Sequence, residues 1–243
     1  MRRMLATTID ELRSIALDAG DAAGYFPALY ARVTDRIRTA AADGRFEDPE
    51  RMQEFAHAFA HWYVRPRTGQ AALPGCWRAA FDVAGDDGLM IVQHLLLGIN
   101  AHVNHDLPQV VVERAPASGD LTDLRTDFNA VNDILAETIP SVFASLGAVS
   151  RWVNVVASRG GGRMFDFSLR VARTRAWDTA VRLQRTDPAD RPVEVEELDG
   201  LVRVLAYLVA NPGAPASWGV SVARRLEEHD PRTVTRKLLG SLV

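Results

Sequence analysis

The stretch His94–Asp106, HLLLGINAHVNHD, combines a helical pattern of apolar residues with a high density of polar side chains. It contains three of the six histidines of the chain, together with two asparagines and an aspartate. The apolar residues recur at helical spacing, which predicts a helix that is buried on one side. Unpaired polar groups in a core cost several kcal/mol. The stretch therefore indicates either a functional site or a buried polar network.

Helical periodicity extends over the rest of the chain, and strand patterns are scarce. We therefore predict an all-α protein, a compact bundle of roughly eight to ten helices. Its 243 residues can bury one large core. We expect a single domain over residues 1–243, with a subdivision near 115–120 as the alternative.

Capping residues and prolines predict where individual helices begin and end. Thr8 is a predicted N-cap of the first helix, and Asp48 caps a later helix whose first turn contains Pro49. Pro108 is expected to end or kink a helix over residues 88–106. The predicted helices cover residues of about 8–20, 27–43, 49–64, 88–106, 121–145, 164–185, 193–210, 217–229 and 231–241.

Composition excludes several classes of function. A net charge of −3 supplies no basic face, so we expect no nucleic-acid partner. The single cysteine, Cys76, cannot form an internal disulfide, which fits a reducing compartment. No segment approaches the roughly 20 apolar residues of a membrane span. We expect a cytoplasmic protein without a membrane span.

A helical wheel divides the stretch into two sides. At about 100° per residue, His94, Gly98 and His105 fall on one stripe, and leucines cover the opposite side. A helix that is apolar on one side and polar but uncharged on the other is typical of the border of an internal cavity. We predict a pocket for a small, largely apolar molecule, lined by this stripe and by Asp133 and Trp177 from other helices.

Distances along the helix limit which groups can act together. His102 and Asp106 lie about one turn apart, so they could bind one metal ion or share a proton. His94 lies roughly 12 Å from His102 along the axis, at about 1.5 Å per residue. Because imidazole–metal bonds are about 2 Å long, these two histidines cannot bind the same ion.

A second histidine cluster offers further metal ligands. Glu54, His57 and His61 share one side of another predicted helix. A Glu-x-x-His step recurs in helical carboxylate metal sites, and His-x-x-x-His is a common chelating spacing. The candidate ligands of a divalent transition metal are therefore His102, Asp106, His57 and His61.

Two functions are compatible with these patterns. The first is an enzyme in which His102 and Asp106 act as general acid/base or metal ligands, while Asn100 and Asn104 orient the substrate. Its reaction would be a cyclisation or isomerisation in a biosynthetic pathway, or a metal-assisted hydrolysis. The second is a non-catalytic helical protein that binds a ligand or partner and uses the polar helix as a structural network.

Four segments of the chain are similar to those of a known family. AAADGRFEDPERMQEFAHAFAHWY, CWRAAF, LLLGINAHVNHDLP and RAWDTAVRL together resemble an actinobacterial family described as domain of unknown function 5995. The resemblance covers most of residues 20–185 and implies an all-α fold, but it implies no activity. Its most specific run, NAHVNHDLP, places the emphasis on Asn100, His102, Asn104 and Asp106 rather than on His105.

Overall fold

The computed structural model describes residues 2–116, 121–213 and 216–242. These residues form α-helices and no β-strand, which confirms the all-α prediction. The helices are α1 (Arg2–Asp18), α2 (Tyr25–Ala42), α3 (Pro49–Arg67), α4 (Gly75–Asp82), α5 (Ile91–Asn100), α6 (Leu107–Glu113), α7 (Thr122–Gly147), α8 (Arg151–Ser158), α9 (Gly161–Arg185), α10 (Arg191–Ala210), α11 (Ala216–Arg224) and α12 (Pro231–Leu239).

The π turn Ala101–Asp106 joins α5 to α6, and 3-10 turns occupy Ala22–Gly24 and Gly240–Leu242. Counting α5 and α6 as one continuous helix, the described residues form 11 helices. None of these helices is long and apolar enough to cross a membrane. Most of the predicted subdivision near 115–120 lies outside the described residues.

Capping explains where α3 begins but not where α1 begins. The Asp48 carboxylate accepts a hydrogen bond from the Arg51 backbone N–H at 2.9 Å, with Pro49 in the first turn, as predicted. The prediction that Thr8 caps the first helix is wrong. Helix α1 begins earlier, at Arg2, because the residues before Thr8 contain no helix breaker. The Thr8 hydroxyl therefore lies inside α1 and donates to the Met4 carbonyl at 3.1 Å.

Helix α2 lies at the centre of the bundle. It packs against α1, α3, α5, α7 and α12. Its alanines, including the fully buried Ala28 and Ala31, allow neighbouring backbones to approach closely. Buried apolar residues form two clusters, one around α1, α2 and α5 and the other around α3, α6, α7 and α9. The interior between α2, α5 and α7 is where the candidate site lies.

The helix around Pro108 differs from its predicted bounds. It begins at Ile91 rather than near residue 88, and it continues past Pro108 to Glu113. A proline lacks the N–H of the helical ladder, and its ring clashes with the carbonyl four residues earlier. The π turn directly before Pro108 widens the backbone at this point. The helix therefore continues where a regular α-helix would kink or end.

We expect Gly98→Ala to lower the free energy of unfolding by about 1–3 kcal/mol through overpacking, measured by urea denaturation. A Cβ atom at Gly98 would lie 2.6 Å from ring atoms of Phe26. The Phe26 ring is itself packed against Tyr63 and Trp77, with centroids 5.1 and 5.2 Å apart, so it has little room to move.

The matched control is Gly85→Ala, because a Cβ atom there would meet nothing within 4 Å. Its free energy of unfolding should change by less than about 0.5 kcal/mol. Equal urea midpoints for the two variants would contradict the close contact at Gly98.

Candidate functional site

The carboxylate of Asp106 is the centre of a buried hydrogen-bond network. It has no solvent exposure. One oxygen, Oδ2, accepts from His102 Nδ1 at 3.0 Å and from Trp77 Nε1 at 2.9 Å. The other, Oδ1, accepts from His105 Nδ1 at 2.8 Å. Three donors offset much of the cost of removing this carboxylate from water.

The π turn produces this arrangement. Residues four apart already share a side of an α-helix, and the wider π turn keeps His102 and Asp106 on the same side. His105 precedes Asp106 and reaches its second oxygen from the flank. Trp77 comes from α4 and completes the set. The carboxylate therefore connects the π turn to a helix that is distant in sequence.

The other ring nitrogen of His102 has no hydrogen-bond partner among the residues that the structure describes. Its Nε2 is buried, and the His102 side chain is only 3% exposed. The ring stacks on Phe59, with 3.7 Å between centroids and 9° between planes, and meets the edge of Tyr30 at 4.5 Å. Burial lowers the pKa of His102, against the opposing effect of Asp106. The imidazole is therefore neutral near pH 7, with its proton on Nδ1 toward Asp106 and a lone pair on Nε2.

His102 lies on the wall of a cavity of about 170 Å³. One water molecule needs about 10–15 Å³ on this measure, so the cavity has room for an organic molecule. Apolar side chains from α2, α3, α5, α7 and α9 form most of the wall. Five lining residues carry polar groups: Tyr30, Thr34, His102, Thr138 and Arg173.

Not all of these polar groups are available to a ligand. The hydroxyls of Thr34 and Thr138 donate to carbonyls of their own helices at 2.9 and 2.7 Å. Tyr30, His102 and Arg173 remain as the groups that a bound molecule would meet. Burial raises the pKa of Tyr30 well above its ordinary value, so its phenol is neutral.

Arg173 is the charged group of the cavity wall. Its Nε donates to Asn132 Oδ1 at 2.7 Å, and its Nη2 donates to the Phe128 carbonyl at 2.8 Å. The guanidinium also lies 4.2 Å from the centre of the Phe128 ring. Burial lowers the pKa of Arg173 to about 9, so the side chain is protonated at neutral pH.

None of the five predicted pocket residues lines this cavity. The cavity borders the side of α5 that carries Leu95, Leu96 and Ile99, opposite the predicted stripe. Both sides of α5 are packed against other helices, so a wheel identifies the two sides without showing which one borders a cavity. The predicted pocket residues that the structure places elsewhere are His94, Gly98, His105, Asp133 and Trp177.

These residues have other neighbours. The His94 ring lies edge-on to Tyr25, with centroids 5.9 Å apart. Asp133 has a side chain that is 67% exposed and pairs with Arg170 at 3.1 Å. The Trp177 ring packs against Phe128 outside the cavity.

The two predicted substrate-orienting asparagines lie together at another helix contact. Asn104 Nδ2 donates to Asn100 Oδ1 at 2.8 Å. Asn100 Nδ2 donates in turn to the carbonyl of Val202 in α10 at 3.0 Å. Neither asparagine lines the cavity, so the pair connects α5 and the π turn to α10.

The four predicted metal ligands are not brought together. His57 Nδ1 lies 2.9 Å from the hydroxyl of Thr8, at the contact of α1 with α3. His61 Nδ1 lies 3.0 Å from the carbonyl of His57. Phe59, on the same helix, faces the His102 ring instead. The structure thus separates His57 and His61 from His102 and Asp106.

Another set of ligand-type side chains does converge. Within the described ranges, the group of three whose ligand atoms lie within 4.8 Å of one another is Cys76, His105 and Asp199. The Cys76 N–H donates to Asp199 Oδ1 at 2.8 Å. Burial, followed by the hydrogen bond to Asp199, raises the pKa of the Cys76 thiol well above its ordinary value. The three side chains come from α4, the π turn and α10, and they connect these elements at a buried contact.

Sequence reasoning missed Tyr30 and Phe59 as neighbours of His102. Aromatic residues at helical spacing are ordinary core residues, so no signal separated these two. Arg173 did have a signal, because it follows Leu169 by four residues and precedes Ala176 by three, which places an arginine on the apolar side of α9.

We expect Asp106→Ala to lower the free energy of unfolding by about 3–5 kcal/mol, because three buried donors lose their acceptor. Asp133→Ala is the control, since that carboxylate is mostly exposed and should contribute less than about 1 kcal/mol. Urea denaturation of both variants at pH 7 measures the difference. A loss of similar size in the two variants would contradict the central role of Asp106.

Comparison with known proteins leaves the function open while assigning the chain to a family. No curated protein and no solved structure matches the chain. The model of the family described as "Family of unknown function (DUF5995)" matches residues 4–212. This match includes all five helices that line the cavity and the whole π turn. Because this match covers most of the chain, the chain belongs to the DUF5995 family.

Proposed function

We propose that the protein is an enzyme that binds a small, largely apolar molecule in the cavity and uses His102 as a general acid/base. The observation that carries this proposal is that His102 lines the cavity while its Nε2 atom is buried without a hydrogen-bond partner among the described residues. An unsatisfied buried polar atom costs about 1–3 kcal/mol. A substrate that hydrogen-bonds to Nε2 would offset this cost.

Asp106 prepares His102 for proton transfer. By accepting from Nδ1, it fixes the tautomer in which Nε2 carries the lone pair. When Nε2 takes a proton from the substrate, the ring becomes positively charged, and the adjacent carboxylate stabilises that charge. Phe59 covers one face of the ring, which keeps water away from the base. The same ring can then return the proton at another position of the substrate.

This geometry favours proton transfer over metal-assisted hydrolysis. Both oxygens of Asp106 already accept hydrogen bonds, so binding a metal there would break bonds that stabilise the fold. His102 contributes one free nitrogen, which by itself is insufficient for a metal site. An isomerisation or cyclisation, in which the proton is removed and returned, needs only the neutral base.

The alternative function is a non-catalytic ligand- or partner-binding protein in which the network is structural. The observation that favours it is the complete pairing of Asp106, which links the π turn to Trp77 of α4. The two functions differ at His102. A structural role predicts a large fall in the melting temperature of His102→Gln, whereas an acid/base role predicts a folded protein that has lost turnover.

We expect His102→Gln to retain a substrate that the wild-type protein converts. Both proteins are incubated with an organic extract of small apolar metabolites, repurified, and the bound compounds are identified by mass spectrometry. Proton transfer without hydrolysis predicts a product of unchanged mass and altered chromatographic mobility. Products whose combined mass exceeds that of the substrate by one water would instead indicate hydrolysis.

The control is His229→Gln, at an exposed histidine of the same chain, which should convert the compound as the wild type does. If neither the wild type nor His102→Gln retains any apolar compound, or if both yield the same products in the same ratio, the proposal fails.

The lowered pKa of His102 also predicts how stability depends on pH. An unfolded histidine titrates near pH 6.5, and the pKa of His102 is lower in the folded protein because of burial. Between these two pKa values the unfolded chain binds more protons, so acidification lowers the free energy of unfolding. One such histidine contributes up to about 1.4 kcal/mol per pH unit below pH 6.5.

Urea denaturation between about pH 5 and 8 measures this dependence, because this range includes the ordinary histidine pKa of about 6.5. His102→Gln should lose stability less steeply than the wild type on the acidic side. His229→Gln should keep the wild-type slope because its ring is exposed. The same slope in the wild type and in His102→Gln would show that His102 is not held in the neutral form.

A further inference from the structure

Arg173 is a buried cation without an anionic partner. Arg173 is only 5% exposed. It donates hydrogen bonds to Asn132 Oδ1 and to the Phe128 carbonyl, and both of these oxygens are neutral. The titratable groups that act on it are Tyr30 and Arg170, and neither is a carboxylate. In the described part of the chain, no aspartate or glutamate forms an ion pair with Arg173.

An isolated charge in an apolar interior is costly unless it is paired. Where a buried carboxylate is near, an arginine pairs with it: Arg51, for example, binds the buried Asp127 at 2.8 Å. Arg173 lines the cavity, so a molecule bound there would be able to supply the negative charge that its described neighbours do not.

We propose that the molecule bound in the cavity is a monocarboxylate with an apolar body, and that its carboxylate pairs with Arg173. This inference rests on the proposed function, since it names the class of substrate that would meet His102. Guanidinium donors match the two oxygens of a carboxylate in a planar, two-point contact. The remaining wall of the cavity is suited to a hydrocarbon body.

The charge balance favours a carboxylate over a phosphate. Arg173 is the one arginine or lysine among the described residues that line the cavity, and His102 is neutral. A carboxylate brings one negative charge, which this cation neutralises. A phosphate monoester or a diphosphate brings about two or more, which would leave uncompensated negative charge in an apolar site.

The three residues whose polar groups are available to a ligand line the same cavity: Tyr30, His102 and Arg173. The Tyr30 and His102 rings are in contact, with centroids 4.5 Å apart. A carboxylate bound by Arg173 would therefore occupy the same enclosed space that His102 borders. The apolar body of the ligand would lie against the apolar side chains that form the rest of the wall.

Calorimetric titration with saturated monocarboxylates of increasing chain length tests the inference. Each acid is compared with the primary alcohol and the methyl ester of the same chain length, and all are used below their micellar concentrations. The wild type should bind the best acid about 10- to 100-fold more tightly than its alcohol, as expected for a charged hydrogen bond. Arg173→Gln should lose this preference, while its affinity for the alcohol stays the same.

Two further variants control for folding and geometry. Arg175→Gln removes an exposed arginine of the same helix and should bind as the wild type does. Arg173→Lys keeps a positive charge without the planar fork, so it should retain part of the preference. Because the comparison of acid with alcohol uses the wild type, the inference stays testable even if an Arg173 variant fails to fold.

The outcomes separate this inference from the proposed function. Equal affinities for acid and alcohol in the wild type, or an unchanged acid preference in folded Arg173→Gln, would overturn the carboxylate and leave His102 unaffected. Failure of every acid, alcohol and ester to bind would overturn the cavity as a binding site and the proposed function with it. Acid binding that depends on Arg173, combined with identical products from the wild type and His102→Gln, would support the inference and overturn catalysis by His102.

Discussion

The structure depends most on the need to satisfy one buried carboxylate. Asp106 is completely enclosed, and its two oxygens accept from two histidines and a tryptophan. The donors come from the π turn and from α4, so the requirement fixes how these two segments meet. It also fixes the plane and the tautomer of His102, whose ring lines the cavity and whose second nitrogen is buried without a hydrogen-bond partner among the described residues. The contacts that make Asp106 tolerable in the core thus also orient the proposed base.

The interior holds an anion and a cation that do not pair with each other. Asp106 is bound by ring N–H donors, and Arg173 is bound by neutral oxygens and an aromatic face. If the two were in contact, each would neutralise the other and the cavity would be electrically inert. Their separation leaves a base near Asp106 and a positive group on the wall. Such an arrangement is typical of sites that stabilise charge developing on a bound molecule. Apolar walls strengthen both effects by excluding water.

Much of the fold follows from the sequence, but only part of the site does. The helical period predicts the all-α fold, and the i, i+4 spacing of His102 and Asp106 predicts that they can bond. The side of α5 that faces the cavity does not follow, because both sides are buried and local periodicity does not identify the neighbouring helix. A wheel with a fixed angle per residue also fails within the π turn, where that angle changes. The position of Arg173 on the apolar side of α9 follows from helical spacing, but its neighbours on α7 do not, because they are distant in sequence.

The π turn has a consequence for how the chain tolerates changes in length. A π turn accommodates one more residue than the corresponding turn of an α-helix. Deleting a single residue between Ala101 and Asp106 would allow the backbone to close into a regular α-helix, which by itself is favourable. Because the π turn holds its extra residue within the turn, α5 and α6 would keep nearly the same rotational relation after such a deletion. The same deletion elsewhere in α5 or α6 would rotate one half of the long helix by about 100° relative to the other, and so turn a packed side away from the cavity or from α9. The π turn is therefore the place where this long helix can lose a residue while both halves keep their neighbours.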